Sequence, residues 1–169
     1  MKTNFNLKIP NNYIPSPTKD TPNIIGVDPG GTCGIAIYNV RGFSSFHIPG
    51  IEAGKFITRK AKDLTIISPV IIACQRYIIT PNPKTQQRTA LHIIGELTAF
   101  ARDESNIALE LQNSADAAKV GSQACLEKLD WWKPGKRHAN DAAKHVSLTM
   151  LRYFYELWYD LTHGVCLKK

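Results

Sequence analysis

Apolar positions along this chain alternate between two periods. Two short, near-continuous apolar runs, Ile24 to Asp28 and Cys33 to Val40, flank the segment DPGGT. They predict a buried strand, a glycine turn and a hairpin partner. GFSSFHIPG (42–50) alternates Phe43, Ser45 and His47 and predicts a third strand. From Glu52 to Ile67 the spacing of Phe56, Ile57, Ala61 and Leu64 becomes helical. A fourth strand, 70–79, follows in PVIIACQRYIIT, and PNPKT (81–85) is a loop. Residues 86–104 predict an amphipathic helix with Leu91, Ile94, Leu97 and Ala101 inward, and 106–112 a fifth strand. Residues 114–137 read as helical pieces broken by Gly121 and stopped by Pro134-Gly135, before one long final helix over 138–161.

The order β-β-β-α-β-α-β-α places the chain in the α/β class. It predicts a mixed five-stranded sheet flanked by helices, its first three strands antiparallel and the later ones parallel. The first strand is central and ends in Asp28. Residues 1–22 are polar and Pro-rich, lack the apolar stretch of a secretory signal, and read as a flexible N-terminal arm. Residues 23–169 form one domain, with no apolar run near the length of a membrane span. Cys33, Cys74, Cys125 and Cys166 are widely spaced, as expected of buried thiols in a reducing, cytoplasmic setting rather than of a disulfide frame or zinc site. Lys and Arg outnumber Asp and Glu by 21 to 14, a net charge of +7 that favours a polyanionic partner.

One feature of the fourth strand breaks its apolar logic. Gln75-Arg76 interrupt the run where a core strand needs no amide. Asp28 ends the first strand, and His138, Asp141 and His145 share one face of the final helix within about 60° of arc. Taken singly these are weak signals: Asp28 can be a turn former before Pro-Gly, and the helix face can be a solvated polar stripe. Together they place polar groups from three elements at one end of the sheet.

With these residues in place the sequence resembles the RuvC-type Holliday junction resolvases, especially their bacteriophage branch, within the RNase H-like superfamily of nucleases. The resemblance rests on IIGVDPGGTCGIAIY, VIIACQRYIIT and HANDAAKH, and runs from about residue 24 to residue 160. It implies an RNase H-like fold and two Mg²⁺ or Mn²⁺ ions held by Asp28, the residue at 75, His138 and Asp141, with His145 either a supporting group or a core-edge histidine. The ions would drive phosphodiester hydrolysis in branched DNA: four-way junctions first, with flaps and forks as further candidates. Such proteins act as homodimers, for which the helix at 86–104 can serve as the interface, although its apolar stripe can equally be core alone. A phage origin implies the cytoplasm of a bacterial host.

The sequence departs from the family at one ligand. Position 75 is normally a glutamate followed by Arg, and here it is glutamine. Glutamine keeps one carbonyl oxygen but loses the charge that a hard cation requires. Impaired metal binding and cleavage follow. Either the chain is an inactivated variant of a nuclease or it is a junction-binding protein that has lost catalysis; retention of Asp28, His138 and Asp141 favours the first. Glu110 on the fifth strand is the nearby carboxylate that remains, and is read as structural.

Arg76, Lys84, Arg88, Lys119, Lys128, Lys133, Lys136 and Arg137 are the expected DNA-phosphate contacts. Tyr77 and Trp131-Trp132 can stack on unpaired bases, or the tryptophans can cap the final helix. GVDPGGT also resembles the first phosphate loop of the actin and sugar-kinase ATP-binding fold. That fold needs two domains and further glycine-rich motifs that this chain lacks.

Overall fold

The computed structural model describes residues 22–77 and 88–162. Expectations placed on residues 1–21, on Lys84 and on the 81–85 loop therefore lie outside the described residues. Five strands, β1 (Asn23–Asp28), β2 (Thr32–Asn39), β3 (Gly42–Pro49), β4 (Val70–Gln75) and β5 (Ile107–Gln112), form one sheet in the order β3-β2-β1-β4-β5. β1 pairs antiparallel with β2 and parallel with β4, so the sheet changes sense at its central strand as expected. Among the described residues six helices accompany it: α1 (Gly50–Thr65), α2 (Arg88–Asp103), α3 (Ser114–Val120), α4 (Gln123–Lys128), α5 (Arg137–Tyr153) and α6 (Tyr155–Thr162).

Strand alternation divides the core into two layers. Ile25, Val27, Ile72 and Cys74 pack with Ile57, Leu64, Ile93 and Leu97 of α1 and α2. Ile24, Ala36 and Ala73 face the other way, against Ala142, Val146 and Met150 of α5 and Trp158 of α6. β1 and β4 are buried on both sides, which is why they read as continuous apolar runs.

α5 lies unusually close to the sheet because two glycines make room for it. A Cβ at Gly26 would strike the carbonyl of Ala142, and one at Gly34 the carbonyl of His138. Asn140 fixes the approach to the helix: its side chain accepts from Lys133 N and donates to Lys133 O, both at 2.9 Å. The KPGK turn is thereby clamped to the first turn of α5.

Several boundaries differ from the sequence reading. The final helix is two helices, because Phe154 leaves helical geometry (φ −135°, ψ 49°) and turns α6 back against the core. The inward stripe of α2 runs Ala90–Ile93–Leu97, rotated by one residue, with Leu91 and Ile94 only half-buried. Leu97 belongs to the chain's own core and Ile94 packs against it, which is the core role of the stripe. Trp131 is buried, stacked on Phe43 with centroids 4.1 Å apart and near Tyr38 and Trp158. It caps the core and is not available to a base. Cys33 and Cys74 are buried free thiols. Cys125, however, is disulfide-bonded, which corrects the expectation of thiols throughout: spacing along the chain does not reveal which cysteines a fold brings together.

Candidate functional site

Asp28 ends β1 at the C-terminal edge of the sheet, opposite Gly34 of β2. In the parallel pairing Val27 stands opposite Cys74, so the next residues, Asp28 and Gln75, finish adjacent strands side by side. Both share the sheet face of Gly26 and Ala73, toward α5. Because Gly34 lets the first turn of α5 sit directly on β2, His138 reaches across to Asp28: Nδ1 lies 2.7 Å from Oδ2, between residues 110 apart in sequence. The imidazole is partly exposed, whereas Asp28 is only 7% exposed. Burial raises the Asp28 pKa, the His138 hydrogen bond opposes that rise, and the neighbouring charge of Asp141 adds to it.

Asp141 comes to the same end but makes no hydrogen bond to Asp28. One carboxylate oxygen accepts from Lys144 Nζ at 2.6 Å, and the other faces Arg137 Nε at 3.7 Å. Lys144 was missing from the sequence reading. It is held where α3 ends against α5, with its stem over Gly121.

His145 does not join this group. It is fully buried one turn deeper, with Nδ1 2.8 Å from Gln112 Oε1. Gln112 Nε2 donates to Thr149 Oγ1 at 2.7 Å and to Glu110 Oε2 at 3.0 Å, and Glu110 is ion-paired with Arg152. The amide orientation makes Oε1 an acceptor, so His145 carries its proton on Nδ1. Burial lowers its pKa to about 4; the Asp141 charge opposes that shift and Lys144 adds to it. Glu110 is thus a structural residue with its oxygens engaged inside the protein.

No family model and no curated protein matches the sequence. Among solved structures, T. thermophilus RuvC in complex with Holliday junction substrate aligns over 80% of this chain and 96% of its own, with a TM-score of 0.55 and 14% identity. The fold is that of the RuvC-type resolvases. A second Thermus thermophilus RuvC structure aligns over the same shares, with a TM-score of 0.48 and 12% identity.

On this RuvC-type scaffold the expected DNA contacts distribute unevenly. Arg76 follows Gln75 directly, and Lys133, Lys136 and Arg137 lead into His138; all four are exposed at the site's edge. Arg88, Lys119 and Lys128 are exposed at the start of α2 and the ends of α3 and α4. Lys119 lies 3.9 Å from Asp116. No described helix is long and apolar enough to cross a membrane.

RuvC-type folds imply divalent ions, and the donors here can be tested against them. Among the described residues, no three His, Cys, Asp or Glu side chains stand close enough together to hold a metal. Asp28 is committed to His138, Asp141 to two cations, and residue 75 brings no charge. Two divalent ions a few ångströms apart need more negative charge than this set supplies. As it stands, the donor set does not fit a two-ion centre.

Proposed function

We propose that this chain is a branched-DNA protein of the Holliday junction resolvase type, built as a structure-selective endodeoxyribonuclease and impaired at residue 75. The observation that supports this reading best is the Asp28–His138 contact beside Gln75, at the sheet edge of a fold shared with a RuvC seen on Holliday junction substrate. Its natural setting would be DNA recombination and repair, and a two-fold junction calls for two copies of the chain.

In this reading Arg76, Lys133, Lys136 and Arg137 hold backbone phosphates, which position the DNA without reading its sequence. His138 donates from Nδ1 to Asp28, which orients the ring and leaves Nε2 toward solvent, where it can accept or return a proton. The missing element is negative charge at 75. With a glutamate there, Asp28, His138 and Asp141 would complete the metal-ligand set of a magnesium- or manganese-dependent two-metal nuclease.

The test is binding and cleavage of synthetic four-way junctions, flaps, forks and plain duplexes, by this chain and by Gln75→Glu, with Mg²⁺ or Mn²⁺. The chain should bind the junction more tightly than duplex of equal length and leave it uncut, while Gln75→Glu cuts it. Equal affinity for junction and duplex would overturn the structural selectivity. An inert Gln75→Glu that still binds junctions would favour the second reading, a binding protein without catalysis, which the ion-paired Asp141 also fits.

A further inference from the structure

Ion pairs three residues apart on a helix surface are ordinary and weak, but the Lys144–Asp141 pair is built differently. Both side chains are about three-quarters buried, at 23% and 26% exposure, and the contact is 2.6 Å. Lys144 is also seated from behind. A Cβ at Gly121 would lie 2.7 Å from the Lys144 Cα and 3.1 Å from its Cβ and Cγ, so only glycine lets α3 close against the stem. Side chains on a helix lean toward its N-terminus, which carries Nζ back toward Asp141 and the Asp28–His138 end of the site.

We infer that Lys144 is a resident counter-cation, supplying at Asp141 the positive charge that a metal ion would otherwise bring, so that the chain engages a DNA phosphate without a divalent ion. This rests on the DNA-binding reading above for its substrate, but the cation's role at Asp141 stands apart from it. An ammonium fixed there neutralises the carboxylate that would repel the incoming phosphate. It also competes with any divalent ion for the same oxygen. The uncharged amide at 75 and the lysine at 144 act in the same direction, each lowering the negative charge that a divalent ion would meet.

Two titrations test this. Mn²⁺ is titrated calorimetrically into the metal-free chain and into Lys144→Ala, with Lys144→Gln as a second variant that preserves the stem should alanine unfold the helix contact. Each protein is also titrated with a four-way junction in EDTA and in Mg²⁺. Removing the lysine should tighten Mn²⁺ about tenfold, and should weaken junction binding in EDTA about tenfold, with Mg²⁺ restoring it. Lys144→Arg should behave as the parent chain, whose junction affinity should change less than twofold between EDTA and Mg²⁺. Unchanged Mn²⁺ affinity in the folded lysine variants overturns the inference whatever the DNA result. Tightened Mn²⁺ with no junction preference in any protein would sink the proposed function instead and leave the counter-cation in place.

Discussion

Two histidines seven residues apart on α5 make nearly the same bond and live under opposite conditions. His138 places Nδ1 2.7 Å from a carboxylate of β1, and His145 places Nδ1 2.8 Å from an amide of β5. The first ring is 44% exposed; the second is 1% exposed. Behind the His145 Nδ1 contact, Gln112, Thr149, Glu110 and Arg152 answer one another inside the protein. Around His138 the groups answer one another only in part, and the outer ring nitrogen and the flanking cations face outward. A closed network specifies how a helix sits on a sheet, while an open one has bonding capacity left for a ligand. The difference separates the candidate site from the strut that holds it.

The largest effect should come from returning charge to the open cluster. Gln75→Glu should raise junction cleavage in Mg²⁺ on the order of a thousandfold. Asp28→Asn or Asp141→Asn in that background should abolish it while DNA binding persists, by gel assay and anisotropy; substantial residual cutting would misplace the site. Next in size is the strut. Arg152→Ala strands the buried Glu110 carboxylate and should cost about 3 kcal/mol in urea unfolding. Replacing Glu110 and Arg152 together by methionine should cost less, and equal losses would show that the charges are not coupled.

The closed cluster also carries a pH signature. His145 stays neutral in the folded chain down to about 4 but charges near 6.5 when unfolded. The unfolded state therefore takes the proton first as pH falls. Stability fully present above 6.5 should drop by ~3 kcal/mol toward pH 4. Asp28 acts with the opposite sign: its raised pKa gives stability below its ordinary 3.8 that is lost as pH rises through the folded value. His145→Gln should flatten the decline between 6.5 and 4, and an unaltered slope would mean that another group drives it.

A smaller change should separate the clusters mechanically. Gly34→Ala pushes on the His138 carbonyl and should cost about 2 kcal/mol. It should detach His138 from Asp28, seen as a shifted imidazole signal by NMR, while the His145 signal stays where it was. The smallest effect is on the metal-free fold. Gln75→Glu adds a charge beside buried Asp28 and should lower stability by about 1 kcal/mol, reversed by Mg²⁺ or Mn²⁺. Equal metal stabilisation of both forms would show that residue 75 is no ligand.

Much of the sheet was legible because strands buried on both faces carry an unmistakable apolar run, and because Asp28 and Gln75 end those runs with polar groups. Periodicity placed His138, Asp141 and His145 on one helix face but could not say what each would meet. That depends on the sheet beneath, where β1 lies under the first turn and β5 under the third. Lys144 escaped notice because a lysine on a helix ordinarily reads as solvated surface; its partner became visible only with α3 closing over Gly121. The break at Phe154 was equally hidden, since FYELWYDL continues the helical spacing of apolar residues and contains neither Gly nor Pro.

The wide separation of Asp28 and His138 has a consequence during synthesis. β1, β2 and β3 form a meander of local pairings that can assemble early, whereas α5 must return to β1 across most of the chain. At roughly 5–20 residues per second, residue 138 follows residue 28 from the ribosome by about 5–20 s. Until then Asp28 has no imidazole, Asp141 and Lys144 do not exist, and the basic turn at 133–137 is unmade. A nascent chain would carry a nearly finished sheet while the helix that completes the candidate site is still unmade.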